Sequence, residues 1–96
     1  MNLGLSIRKL RKERVPQLTQ AEYAATIGIS QTYLSQIESN KKKPSTDILE
    51  KIAADFEIPL PIIFWYGIEE KDIHESKREY FRFLKPTIDQ MIDSII

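Results

Sequence analysis

Apolar residues in this chain recur at intervals of three and four and seldom at intervals of two, which is the period of helices and not of strands. In LSIRKLRKER, Leu3, Ile7 and Leu10 share one face, while Arg8, Lys9, Arg11, Lys12 and Arg14 occupy the rest. Val15-Pro16-Gln17 should end this first helix, because a proline disfavours helical geometry in the residue before it. LTQAEYAATIG restarts with Thr19 as N-cap and Glu22 three residues on, the spacing of a capping box, and it offers Tyr23, Ala24 and Ile27 for burial. Gly28 fits the left-handed position that closes a helix, and Ser30 suits the N-cap of a third, SQTYLSQIESN. After the polar turn KKKPS, Ser45 or Thr46 should cap a fourth helix with the stripe Ile48, Leu49, Ile52, Ala53 and Phe56. IPLPIIFWYG reads as a short fifth, with Pro61 near its first turn and Gly67 after its end. The expected fold class is all-α.

Composition narrows the chemistry. Ninety-six residues, 42% of them hydrophobic, suit one domain with a short appendage: five helices over 1–67 and a further helical segment over 68–96. With no cysteine and His74 as the one histidine, a disulfide framework, a thiolate nucleophile and a Cys/His metal site are all excluded, and His74 is read as a solvated side chain. No cofactor and no metal are expected. Carboxylates are plentiful, but none pairs with a histidine or a metal motif in a catalytic arrangement, so an enzyme is not expected. Nowhere do eighteen apolar residues run together, so no membrane span or signal peptide is indicated and a cytoplasmic location is expected.

The formal net charge of zero conceals a strong asymmetry. Residues 1–44 hold eight Lys/Arg against three acids, residues 45–67 one against four, and residues 68–96 five against seven. A polyanion senses the local patch, within a Debye length of about 8 Å, and not the distant sum.

The third helix lies in the basic part and is itself polar. At about 100° per residue, Gln31, Ser35, Ser39, Thr32 and Gln36 span roughly 140° of its circumference, opposite a narrow stripe of Tyr33, Leu34 and Ile37. Such a helix packs on a core while presenting uncharged donors and acceptors outward.

With Ala24 small enough for a close crossing, Gly28 at the turn and Ile27, Ile29, Leu34 and Ile37 as a shared core, residues 20–37 make a helix-turn-helix unit. Over LRKER…LTQAEYAATIGISQTYLSQIESNKKKPS the chain resembles the Cro/C1-type (Xre-like) helix-turn-helix family of bacterial and phage regulators, the resemblance covering roughly residues 5–67. It implies a five-helix lambda-repressor-like domain that binds double-stranded DNA. It places Gln31, Thr32, Ser35 and Gln36 at base edges, where a Gln amide can pair in two-point fashion with adenine and a threonine methyl can meet a thymine methyl. It places Gln20, Ser30, Tyr33, Asn40, Lys41, Lys42 and Lys43 along the DNA backbone. Tyr33 also reads as part of the core, and the three lysines as an ordinary solvated turn. Arg11 and Glu38 match a pair that bridges the first and third helices in the family, a structural role. Two departures stand out: the longer Val15-Pro16-Gln17 loop, and Asn40 where a glycine is usual, a substitution that asparagine's tolerance of left-handed backbone permits.

In ESKREYFRFLKPTIDQMIDSII, Phe81, Leu84, Ile88, Met91 and Ile95 are spaced as a heptad seam, widened by Tyr80, Ile92 and Ile96, with Pro86 expected to kink or split the helix. One reading folds this tail over Phe64, Trp65 and Tyr66. The other makes the seam a homodimer interface, as two half-sites one helical turn apart call for two reading helices about 34 Å apart. The function expected is a sequence-specific, dimeric DNA-binding regulator acting as a repressor. The alternative is an antitoxin-like or antagonist-binding protein whose tail holds a protein partner.

Overall fold

The computed structural model describes residues 1–96. Six α-helices follow one another: α1 Leu3–Glu13, α2 Gln20–Ile27, α3 Gln31–Glu38, α4 Thr46–Phe56, α5 Leu60–Gly67 and α6 Arg78–Ile95, with two 3-10 turns, Glu70–Asp72 and Glu75–Lys77, ahead of the last. No strand is present, and the fold is the all-α, lambda-repressor-like helix-turn-helix arrangement.

Local capping starts each of the first four helices. Asn2, Thr19, Ser30 and Ser45 accept hydrogen bonds from the backbone N–H groups of Leu5, Glu22, Tyr33 and Ile48, satisfying donors that the first turn leaves free. At Thr19 the capping box closes in both directions, the Glu22 carboxylate accepting from the Thr19 N–H at 3.0 Å. Hydrogen bonding to Thr19, by its backbone N–H first and its side chain second, holds the Glu22 carboxyl below the usual carboxylate range. Gly28 ends α2 at φ 78°, and Asn40 follows α3 at φ 61°, so asparagine does supply the left-handed turn that glycine more often provides. Glu57 ends α4 at φ 55° with no glycine to ease it. The next residue, Ile58, is buried, and its N–H donates to the Ala53 carbonyl at 3.0 Å, so apolar burial just past the cap holds the strained residue in place.

The core joins Ile7 and Leu10 of α1, Tyr23, Ala24 and Ile27 of α2, Leu34 and Ile37 of α3, Ile48, Leu49, Ile52 and Ala53 of α4, then Ile58, Ile63 and Tyr66. Two close approaches tie α1 into it. Gly4 lies against the end of α3 so tightly that a Cβ there would sit 2.5 Å from the Glu38 carbonyl oxygen and 2.6 Å from that of Ile37. Gly67 lies inside α5 and not beyond it, accepting from the Asn2 N–H at 2.7 Å, and a Cβ on it would meet the Asn2 oxygen at 2.9 Å. The sequence reading of Gly67 as a terminator is thereby corrected: it is there for close approach. Buried Ser6 donates to the Ile63 carbonyl at 2.6 Å, a second link between α1 and α5.

α6 runs unbroken through Pro86, so of the kink or split expected there the split does not occur. It lies along its own chain. Trp65 Nε1 donates to Asp89 and the Tyr66 hydroxyl to Asp93, both at 2.7 Å, Lys85 donates to the Trp65 carbonyl, and Phe81 meets the Trp65 ring edge-on at 6.2 Å. Phe81, Ile88 and Ile92 are half-buried by this docking, whereas Leu84, Met91 and Ile95 remain exposed. The heptad seam read from the sequence is therefore divided, one edge docked and the other exposed. The docked stripe is Phe81, Lys85, Ile88, Asp89 and Ile92, and Trp65 and Tyr66 are covered as the fold-back reading expected.

Candidate nucleic-acid interface

α3 buries Leu34 and Ile37, half-buries Tyr33, and turns Gln31, Thr32 and Ser35 outward with Gln36 at the margin. None of these four polar side chains hydrogen-bonds within the chain, so their donors and acceptors are free for a ligand. Together with Gln20 and Lys41 they line one cleft that contains no hydrophobic residue. A surface of neutral hydrogen-bonding groups on a protruding helix, with cations at its border, is matched to base edges between two phosphate strands.

Each border group is set by a specific interaction. Arg11 crosses from α1 to grip Glu38 at the end of α3, with Nε to Oε2 at 2.8 Å and Nη2 to Oε1 at 3.0 Å. Both side chains are largely buried, Arg11 12% and Glu38 5% exposed, and the bidentate fork fixes angle as well as distance. The hydrogen bonds to Glu38 raise the guanidinium pKa further, so the charge is permanent. Gln20 reaches the same carboxylate, its Nε2 lying 3.4 Å from Oε1. Glu38 thus connects the α1 brace to a side chain of the cleft.

The lysines do not act as one group. The Gln36 carbonyl accepts from the Lys41 and Lys42 N–H groups at 2.8 and 3.2 Å, folding the turn back onto α3. Lys41 is thereby brought into the reading cleft, while Lys42 and Lys43 border a separate hollow beside Met1, Leu3 and Pro44. Asn40 has an internal task where a DNA-backbone contact was expected: its Oδ1 accepts from the Gly4 N–H at 3.0 Å and its Nδ2 donates to Asn2 Oδ1 at 2.6 Å. The side chain clamps the start of α1 to the end of α3. Ser30 is occupied as the N-cap of α3, its Oγ accepting from the Tyr33 N–H.

Sequence reasoning passed over Arg8. Of the cations on α1 and its C-cap, Arg11 is held by Glu38, Arg14 by Asp55 at 3.0 Å and Lys9 by Glu13 at 2.8 Å, which leaves Arg8 and Lys12. Arg8 is exposed and has no such partner, and it lines a second polar cleft with Arg11, Gln20, Ser35, Glu38 and Ser39, continuous with the first through Gln20 and Ser35. Its position three residues before Arg11 is the signal that could have found it, since residues at that spacing share a helix face. The chain has no group of three or more His, Cys, Asp or Glu residues arranged to hold a metal ion, and no helix long and apolar enough to cross a membrane.

The helix-turn-helix family model matches residues 7–63, and the chain belongs to this family, the Cro/C1-type DNA-binding regulators. It is similar to the control protein C.MunI of a Mycoplasma species, 41% identical over 64 residues that cover 67% of this chain and 85% of that protein. It is 36% identical to the immunity repressor protein of Bacillus phage phi105 over 80 residues, 83% of this chain but only about half, 52%, of the repressor. The ImmF control region 10 kDa protein of the same phage is 41% identical over 61 residues, covering 64% of this chain and 66% of that protein. No solved structure matches. The family and these relatives make the chain a DNA-binding transcriptional regulator.

Proposed function

We propose that this regulator is a dimeric repressor that occupies an operator of two half-sites, each read by α3 of one copy. The observation carrying this reading is that Gln31, Thr32, Ser35 and Gln36, free of internal bonds, meet in one hydrophobe-free cleft bordered by Lys41. In that cleft Gln31 and Gln36 take the adenine-type two-point contacts and Thr32 the thymine methyl, while Gln20, Lys41 and Arg8 take phosphates on either side. Lys42 and Lys43, at the start of α1, extend the positive border. The repressor role rests on likeness to a phage immunity repressor and a control protein. Blocking a promoter needs only stable occupancy, and two reading heads on one body supply it through effective concentration, about 10² to 10⁴ in affinity.

Selection of bound sequences from random duplexes tests this reading and supplies the operator, which should be two-fold symmetric with half-site centres about 34 Å apart. On that operator Gln31→Ala and Gln36→Ala should each weaken binding by about 1–3 kcal/mol and leave random duplexes nearly unaffected. Arg8→Ala and Lys41→Ala should weaken both alike and flatten the salt dependence by about 0.9 in slope for each phosphate that is no longer neutralised. Equal losses on operator and random DNA for the glutamine variants would remove them from the bases.

A further inference from the structure

Asn40 does more than a glycine could at the same place. Its left-handed φ of 61° turns the Lys41 and Lys42 N–H groups back onto the Gln36 carbonyl, at 2.8 and 3.2 Å, and a glycine would allow that backbone equally well. The side chain adds two bonds. Its Oδ1 accepts at 3.0 Å from the Gly4 N–H, a first-turn donor of α1 with no acceptor inside its own helix. Its Nδ2 donates at 2.6 Å to Asn2 Oδ1, the same oxygen that caps α1 by accepting from the Leu5 N–H at 2.9 Å. The Asn2 N–H donates in turn to the Gly67 carbonyl of α5 at 2.7 Å. Gly4 leaves room for this partner, since a Cβ there would lie 2.8 Å from Asn40 Oδ1.

We propose that Asn40 is a positioning residue for DNA recognition, fixing Lys41 relative to the reading side chains of α3 without touching DNA itself. This rests on the DNA-reading face proposed above. The bases met by α3 and the phosphate met by Lys41 belong to one stiff duplex, so the protein groups that meet them must keep one spacing. Gln36 supplies part of that constraint, because the residue whose amide lies in the reading cleft also anchors the lysine turn through its carbonyl. The anchor holds while residue 40 stays left-handed. Glycine populates both signs of φ about as readily and leaves the turn free to depart, whereas Asn40 is held by its bonds to Asn2 and Gly4, which are themselves fixed at the start of α1. Lys41 is thereby placed before DNA arrives, and less ordering is left to be done on binding.

Asn40→Gly removes the side chain and keeps the left-handed backbone within reach, so the chain still folds. Binding of the full-length protein to a random-sequence duplex, across a salt series and well below the unfolding temperature, reads the consequence. Asn40→Gly should weaken binding about 2- to 10-fold, the loss expected when one long interface side chain must be ordered on binding. The Lys41 and Lys42 amide hydrogens should also exchange faster with solvent. In a Lys41→Ala background Asn40→Gly should add no further loss, as there is then no lysine to place. Asn2→Ser, which keeps a capping oxygen for α1 but draws it one bond nearer the backbone and away from Asn40, should reproduce the loss. An Asn40→Gly protein that melts lower yet binds with wild-type affinity and salt dependence overturns the proposal, as does an equal loss with and without Lys41. The two readings fail separately. If Lys41→Ala weakens binding and flattens its salt dependence but Asn40→Gly does neither, the DNA-reading face stands and the positioning role falls. If Lys41→Ala changes nothing in the otherwise wild-type chain, the place of Lys41 at that face falls and the positioning role goes with it.

Discussion

Removing Glu38 tests whether the brace between α1 and α3 is worth what its burial implies. In Glu38→Ala the Arg11 guanidinium loses both short bonds at 2.8 and 3.0 Å and keeps only a 3.4 Å approach to the Leu18 carbonyl. Breaking a fully buried ion pair by deleting one partner costs about 3–5 kcal/mol, because the remaining charge is left without compensation. Arg11 keeps 12% of its side chain exposed at the edge of an open polar cleft, so water can reach it and the loss should fall lower, at about 2–3 kcal/mol. For a domain of this size that corresponds to a fall of about 10–20 °C in Tm. Arg11→Ala should cost at least as much, since Glu38 is the more deeply buried partner and would retain only the 3.4 Å bond from Gln20. The double substitution should cost scarcely more than either single one, giving a coupling of at least about 1.5 kcal/mol in a double-mutant cycle. Urea denaturation followed by far-ultraviolet circular dichroism measures all three. Single losses under about 1 kcal/mol, or additivity within about 0.5 kcal/mol, would falsify the assignment of the pair as a buried, mutually dependent brace.

Gly4→Ala should destabilise the fold by about 1–3 kcal/mol, although alanine is the better helix former by about 1 kcal/mol, since the added Cβ meets two backbone carbonyls of α3 that cannot turn aside. Equilibrium unfolding reads the sign, and a stabilised Gly4→Ala would show that α1 can move off α3 freely. The capping box predicts an acid limb: the Glu22 carboxyl titrates below its ordinary value of 4.5 in the fold, so the stability it contributes is fully present above that pH and is lost as pH falls through the lowered value. Glu22→Gln should therefore show a shallower fall in Tm than wild type on acidification below pH 4.5, and parallel profiles for the two proteins would remove the carboxylate from the cap.

Features that depend on neighbours within about four residues were legible in the chain alone. The 3.6-residue period located five helices and most of the core. Thr19, Ser30 and Ser45 marked their starts, Gly28 and Asn40 their left-handed ends, because capping is a bond between a side chain and a backbone group three positions away. The polar face of α3 was legible for the same reason, as a helix fixes the angle between side chains whatever surrounds it. Which groups are already occupied became visible only once the helices were packed together. Nothing local to Gly4 or Gly67 shows that another helix's backbone lies within contact distance, and nothing local to Glu57 shows that buried Ile58 will hold it left-handed. Nor does the lysine run indicate that Lys41 joins the reading cleft while Lys42 and Lys43 turn toward α1, or that Asn40 is bound to Asn2 and Gly4. The periodicity of α6 gave one broad apolar stripe. Its division into a docked half and an exposed half depends on the positions of Trp65 and Tyr66 in another helix, because a helix fixes the directions in which its side chains point but not what lies in each direction.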